Sequence, residues 1–121
     1  VHDLLEAHQR VLPQGLLNTG QAKVGCFVGD HVKTGIGTLL TTGMVIGFAT
    51  NIFGGGLCGQ RFLPGFLWGG RDGFVDYELE KAIATAQVVL PRRGRELTAV
   101  GRELFSHIFK AESDLRARLI T

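Results

Sequence analysis

The chain has 121 residues, 45% of them hydrophobic and 20% charged, with a formal net charge of +2. Those figures describe one small domain and exclude a multidomain enzyme. Residues 1–60 carry three Lys or Arg against three Asp or Glu, and residues 61–121 carry ten against eight. Neither half therefore holds the basic excess of a nucleic-acid binder. The chain begins at Val1 and its single methionine is Met44, which reads as a processed product or a piece of a longer protein. There are 18 glycines, roughly twice the usual ~7% share, and most precede residue 75, where many tight corners are expected.

In residues 1–12, Leu4, Leu5, His8 and Leu12 fall at helical spacing before Pro13. A short helix is the first reading there and a strand the second. Cys26 and Cys58 lie too far apart for a metal pair and are too few for a disulfide framework. His2, His8, His31 and His107 complete no metal-ligand set either, so no metal is expected and the setting reads as reducing and cytoplasmic.

Between Lys33 and Arg61 no residue is charged, a run long enough to span a membrane. It is interrupted by glycine and threonine and is a poor helix former, so no membrane partner is expected. A period of six residues explains it better. Starting at Val28, the first positions of successive hexads are Val28, Thr34, Leu40, Ile46 and Ile52, and the fifth are Val32, Thr38, Met44, Thr50 and Gly56. Hexapeptide repeats predict a parallel β-helix, in which first and fifth residues face the interior of a prism and glycine eases its corners. Leu16, Gly20, Ala22 and Cys26 extend the register backward. The expected organisation is an N-terminal segment 1–15, a repeat region 16–60, and an aromatic, glycine-rich segment with helices over 61–121.

Residues 61–75 mix Phe62, Leu63, Phe66, Leu67 and Trp68 with Pro64 and glycines, which predicts an irregular hydrophobic cover over an open solenoid end, with a ligand platform as the alternative. From Asp76 as N-cap, Leu79, Ala82, Ile83, Ala86 and Val89 trace an amphipathic helix ended by Pro91. A second helix follows Thr98 as N-cap, its apolar side running from Val100 and Leu104 to Leu115 and Leu119. Arg92, Arg93 and Arg95 read as a solvated helix end.

The string VGCFVGDHVKTGIGTLLTTGMVIGFATNIFGGG over residues 24–56 resembles the hexapeptide-repeat domain of the sugar nucleotidyltransferase/acetyltransferase family that includes the bifunctional N-acetylglucosamine-phosphate uridyltransferases. FLPGFLWGG over residues 62–70 and RRGREL over residues 92–97 resemble the C-terminal extension of a subgroup. The resemblance implies that the β-helix is left-handed, and with the two helices read from periodicity the expected fold is a mainly β chain, a short left-handed parallel β-helix followed by two α-helices. The resemblance further implies a homotrimer, with acetyl-CoA as cofactor in the groove between neighbouring prisms and a sugar phosphate or nucleotide sugar as acceptor.

Carried onto this sequence, the family's cofactor-contacting Ser falls at Ile36, which lacks the hydroxyl. A cofactor-contacting Ala falls at Gly54, which keeps the close backbone approach. The family's catalytic His and its sugar-binding residues have no counterpart. His31, at a corner beside Asp30, is the candidate general base, and Lys33 and Thr34 are candidates for a phosphate of CoA. The alternative is a non-catalytic trimerisation module of a sugar nucleotidyltransferase.

Overall fold

The computed structural model describes residues 9–12, 15–18, 20 and 24–120. Nine short strands follow one another from Phe27: β3 (Phe27–Val28), β4 (Lys33–Thr34), β5 (Thr38–Leu39), β6 (Val45–Ile46), β7 (Asn51–Ile52), β8 (Gly56–Leu57), β9 (Phe62–Leu63), β10 (Leu67–Gly70) and β11 (Gly73–Asp76). They sort into three sheets, in the orders β3-β6-β9, β5-β8 and β11-β10-β7-β4. Phe27 lies opposite Val45, Lys33 opposite Asn51 and Thr38 opposite Gly56, all parallel and eighteen residues apart. One coil is thus three hexads, and the chain forms a short parallel β-helix.

The hexad register holds. Met44, Ile46, Ile52, Cys58, Leu63, Leu67 and Phe74 form the interior cluster, with Cys26, Val32 and Leu40 against it. Thr50 is fully buried at a fifth position because its hydroxyl donates to Pro64 O at 2.7 Å and accepts from Leu67 N–H at 3.3 Å, which removes the cost of a lone buried hydroxyl. Val28 and Thr34 are exposed because no described coil lies beneath theirs.

The coil corners stack as the strands do. Among the described residues, His31, Ala49 and Phe66 are the three non-glycine residues with positive φ, at 60°, 59° and 59°, and they occupy equivalent places on successive coils. Each left-handed corner costs about 1–2 kcal/mol for an L-residue. The stack is held by Ala49 N–H to Asp30 O and Phe66 N–H to Phe48 O, both 2.9 Å.

Residues 61–75 are not an irregular cover. After Cys58 the coil shortens by one residue, so that Phe62 pairs with Val45 and Trp68 with Asn51, and β9 and β10 continue the parallel ladder. β10 then turns back through Gly70 and Gly73 into β11, antiparallel. A Cβ on Gly70 would collide with Phe53 O, and one on Gly69, at φ +154°, with Gly73 O. Gly70→Ala is expected to cost about 1–3 kcal/mol through overpacking. Gly59→Ala, with open space around it, is expected to be near neutral, and urea unfolding of the two variants checks the contrast.

At the other end, β1 (Gln9–Leu12) pairs antiparallel with β2 (Gly15–Asn18). The predicted helix is therefore replaced by a strand over residues 9–12, while residues 1–8 lie outside the described part. A helix so short is marginal in water, and hairpin pairing gives the same backbone groups partners. Leu16 sits in that hairpin, so the hexad ladder does not extend back to it; Ala22 lies outside the described residues.

Three α-helices follow the β-helix, not two: α1 (Leu79–Val89), α2 (Ala99–Ala111) and α3 (Ser113–Ile120). Asp76 is the last residue of β11, and Glu78 stands at the N-cap of α1. Pro91 opens a 3₁₀ turn, Leu90–Arg93, closed by left-handed Gly94, with Arg92 and Arg93 exposed. Thr98 caps α2 as expected, its hydroxyl accepting from Gly101 N–H at 3.0 Å. The second predicted helix breaks at Glu112, whose Oε1 accepts from Gly65 N–H at 3.2 Å. That tie to the β-helix corner redirects the chain into α3. Val100 and Leu104 stay exposed, so the expected apolar side reaches solvent at its N-terminal end.

The helices cover the corner stack. Ala82, Ile83 and Ala86 of α1 and Phe105 of α2 join Ala49, Phe66 and Tyr77 in a second core. Leu119 of α3 packs against the interior cluster. Among the described residues no helix is long and apolar enough to cross a membrane; the uncharged run after Lys33 makes coils.

Candidate functional site around Trp68

The five residues singled out in the sequence fall in two places. His31 is half-buried at the first left-handed corner, its ring edge-on to Phe48 at 5.5 Å and to Phe105 at 4.9 Å. Phe105 in turn meets Phe48 edge-on at 4.9 Å, so the imidazole belongs to the aromatic seam under α2. Burial is the main cause that lowers the His31 pKa, Lys33 adds to it and Asp30 opposes it. Lys33 Nζ donates to His31 O at 3.3 Å, and partial burial lowers the pKa of its ammonium. Thr34 pairs with Ile52 and is exposed, and Ile36 is wholly exposed.

A group whose folded pKa lies below its unfolded value adds stability that is complete above the unfolded pKa and is lost as pH falls below it. His31 is such a group, so acidification from about pH 6.5 downward should loosen the seam between α2 and the corner. His31→Asn keeps a residue that accepts positive φ and removes the charge. Melting curves from pH 8 to about pH 5 should show a steeper acid loss in the wild type than in this variant; parallel curves would assign the acid sensitivity elsewhere.

Gly54 lies apart, in a hollow of about 240 Å³ together with Phe53, Trp68, Gly70, Arg71 and Asp72. Three successive glycines at positive φ, Gly54, Gly55 and Gly56, turn the chain there with no side chain to fill the space. The Arg71 side chain lies over Gly56: a Cβ on that glycine would stand 3.0 Å from one guanidinium nitrogen. A second, larger hollow of about 590 Å³ opens between β11 and α1, lined by Trp68, Val75, Asp76, Tyr77, Glu78, Lys81 and Thr85.

Trp68 and Val75 belong to both hollows. They face each other across the β10–β11 hairpin and form the wall between them. The indole meets Phe53 at 5.2 Å and Tyr77 at 5.1 Å and remains 41% exposed. Tyr77 is fixed from behind by a hydrogen bond between its hydroxyl and Thr85 Oγ1 at 3.3 Å. Charged groups of both signs surround this platform. Glu78 pairs with Lys81 at 3.6 Å, Asp76 Oδ1 accepts from Arg116 Nε at 2.9 Å, and Arg71 and Asp72 sit side by side in the turn.

Sequence reasoning singled out Gly54, offered the Trp68 segment as a ligand platform only in second place, and passed over Arg71, Asp72 and Tyr77. The signal was the sequence Gly70-Arg-Asp-Gly73, a turn between two apolar runs, hidden by the one-residue shortening of the coil before it. No family model matches the chain, and no curated protein or solved structure matches it significantly.

Proposed function

We propose that the chain is the acyltransferase-type hexapeptide-repeat domain of a sugar-nucleotide enzyme, transferring acetyl from acetyl-CoA to a sugar phosphate or nucleotide sugar in the cytoplasm. The observation that carries this reading is the eighteen-residue coil with Gly54 at its bare corner, where a thioester cofactor can approach the backbone along the prism. The acceptor's nucleophilic atom adds to the thioester carbonyl, the carbon–sulfur bond breaks, and coenzyme A leaves as a thiol with the proton taken from the acceptor. The protein's part is to hold donor and acceptor in attack geometry and to relay that proton. His31 stands on another corner of the prism than Gly54 and serves the groove of a neighbouring copy, and its lowered pKa favours the neutral imidazole that a general base needs.

Assembly into a homotrimer belongs to the same proposal. Phe27 on one sheet is 53% exposed, and Leu39 and Leu57, opposite each other on another, are 59% and 56% exposed. A closed ring of three needs two different patches on each copy, and two adjacent apolar prism faces supply them.

The second reading is a trimerisation module without chemistry. It is favoured by the His31 ring lying against Phe48 and Phe105 and by the absence of a hydroxyl at Ile36. The deciding assay follows release of free thiol from acetyl-CoA in the presence of glucosamine 1-phosphate or its nucleotide. The acyltransferase reading expects acceptor-dependent thiol that is lost in His31→Asn. A folded trimer that releases none is the module.

A further inference from the structure

We infer that the Trp68 platform is a hexopyranose-binding subsite. The inference rests on the reading above only for the expectation of a sugar acceptor; the observations that carry it are separate. The first is the indole itself. Trp68 is 41% exposed although Phe53 and Tyr77 both pack on it and Val75 stands opposite, so the packing holds the ring in one orientation and leaves surface open. A rigid aromatic plate of this kind offers a large apolar contact at small entropic cost. The carbon–hydrogen face of a pyranose fits such a plate.

The second observation is the balance of polar groups around it. Arg71 is a donor and Asp72 an acceptor in the smaller hollow, and Lys81 is a donor with Asp76 and Glu78 as acceptors in the larger. In the larger hollow a phosphate or carboxylate ligand would meet Asp76 and Glu78 against Lys81 alone, and in the smaller one Arg71 with Asp72 beside it, whereas sugar hydroxyls, each both donor and acceptor, use both kinds. Arg71 makes no ion pair or hydrogen bond among the described residues. Arg116 holds one oxygen of Asp76, and its second has no partner among the described residues. The third is shape. The larger hollow, about 590 Å³, falls in the range of small-molecule sites, and the smaller one, bare at its glycines, sets Arg71 and Asp72 on the other side of Trp68.

Trp68 is the only tryptophan of the chain, so its fluorescence reports directly on the subsite. Titration with the methyl glycosides of glucose, galactose, mannose and N-acetylglucosamine is expected to give a saturable change in emission with at least one of them, with Kd in the range of about 1 mM. Arg71→Gln and Asp72→Asn change exposed turn residues and should each weaken binding about tenfold, the loss of one charge-assisted hydrogen bond, while the melting temperature stays unchanged. No saturable change with any of the four up to about 50 mM, or a change untouched by either variant, would overturn the inference. So would a response to uridine monophosphate alone, which would mark a base-stacking site. A sugar response from a chain that binds no acetyl-CoA keeps this subsite and removes only the acyl transfer.

Discussion

Ile46→Asp is expected to yield no folded protein. Ile46 is 1% exposed in the prism interior, with Val28 on one side of it in the ladder and Leu63 on the other. Removing its side chain from the core forfeits about 1.5–3 kcal/mol. An unpaired carboxylate in the same place adds several kcal/mol more, and a domain of this size has only about 5–15 kcal/mol in total. Circular dichroism at 20 °C and below should show a largely unfolded chain, and size exclusion should show it expanded or aggregated. Ile36→Asp is the control: with its residue wholly exposed, stability should change by about 0.5 kcal/mol or less. A folded Ile46→Asp with unchanged melting would mean that first positions do not face inward.

Arg116→Met is expected to cost about 2–4 kcal/mol and to release α3 from the β-helix. Arg116 is 1% exposed and stitches three segments together: Nε to Asp76 Oδ1 at 2.9 Å, Nη1 to Gly65 O at 3.2 Å and Nη2 to Phe109 O at 2.7 Å, with the guanidinium 4.3 Å from the Phe109 ring centroid. Methionine fills much of the volume but takes the donor from the buried Gly65 carbonyl and from the half-buried Phe109 carbonyl. Asp76→Asn should cost far less, because that carboxylate is 56% exposed and water replaces its partner. Hydrogen exchange should quicken in α3 in Arg116→Met while the amides of β6 and β7 keep their protection. Equal exchange in wild type and variant would contradict the role given to Arg116.

What could be read from the sequence was what repeats. A period of six is local and survives any change in the surroundings, so Ile46, Met44 and Ile52 could be placed inside the prism before any coil was seen. The end of the period was harder. The coil after Cys58 is one residue shorter, and the same aromatic and glycine residues that continue the ladder at Phe62, Leu63 and Leu67 read as irregular when counted in sixes. Arg116 was invisible because its three partners are distant in sequence. A charged residue in an apparently exposed helix gives no sign of being buried until the corner at Gly65 comes beneath it. The Trp68 hollows could not be outlined for a related reason: they exist only where β11 folds back on β10 and α1 packs behind, and neither juxtaposition is periodic.

His31 shows the opposite case. Its corner was legible from the hexad register, but the cover over that corner was not. Phe105, seventy-odd residues on, turns a surface imidazole into part of an aromatic seam. A general base and a packing residue make different demands on one side chain, and pH-dependent stability and acceptor-dependent thiol release measure them separately.

The account stands or falls most directly on calorimetric titration of the assembled chain with acetyl-CoA. It predicts saturable heat with one site per subunit, weakened by Gly54→Val, which places a branched side chain at a positive-φ corner. A folded trimer that gives no heat with acetyl-CoA would contradict it.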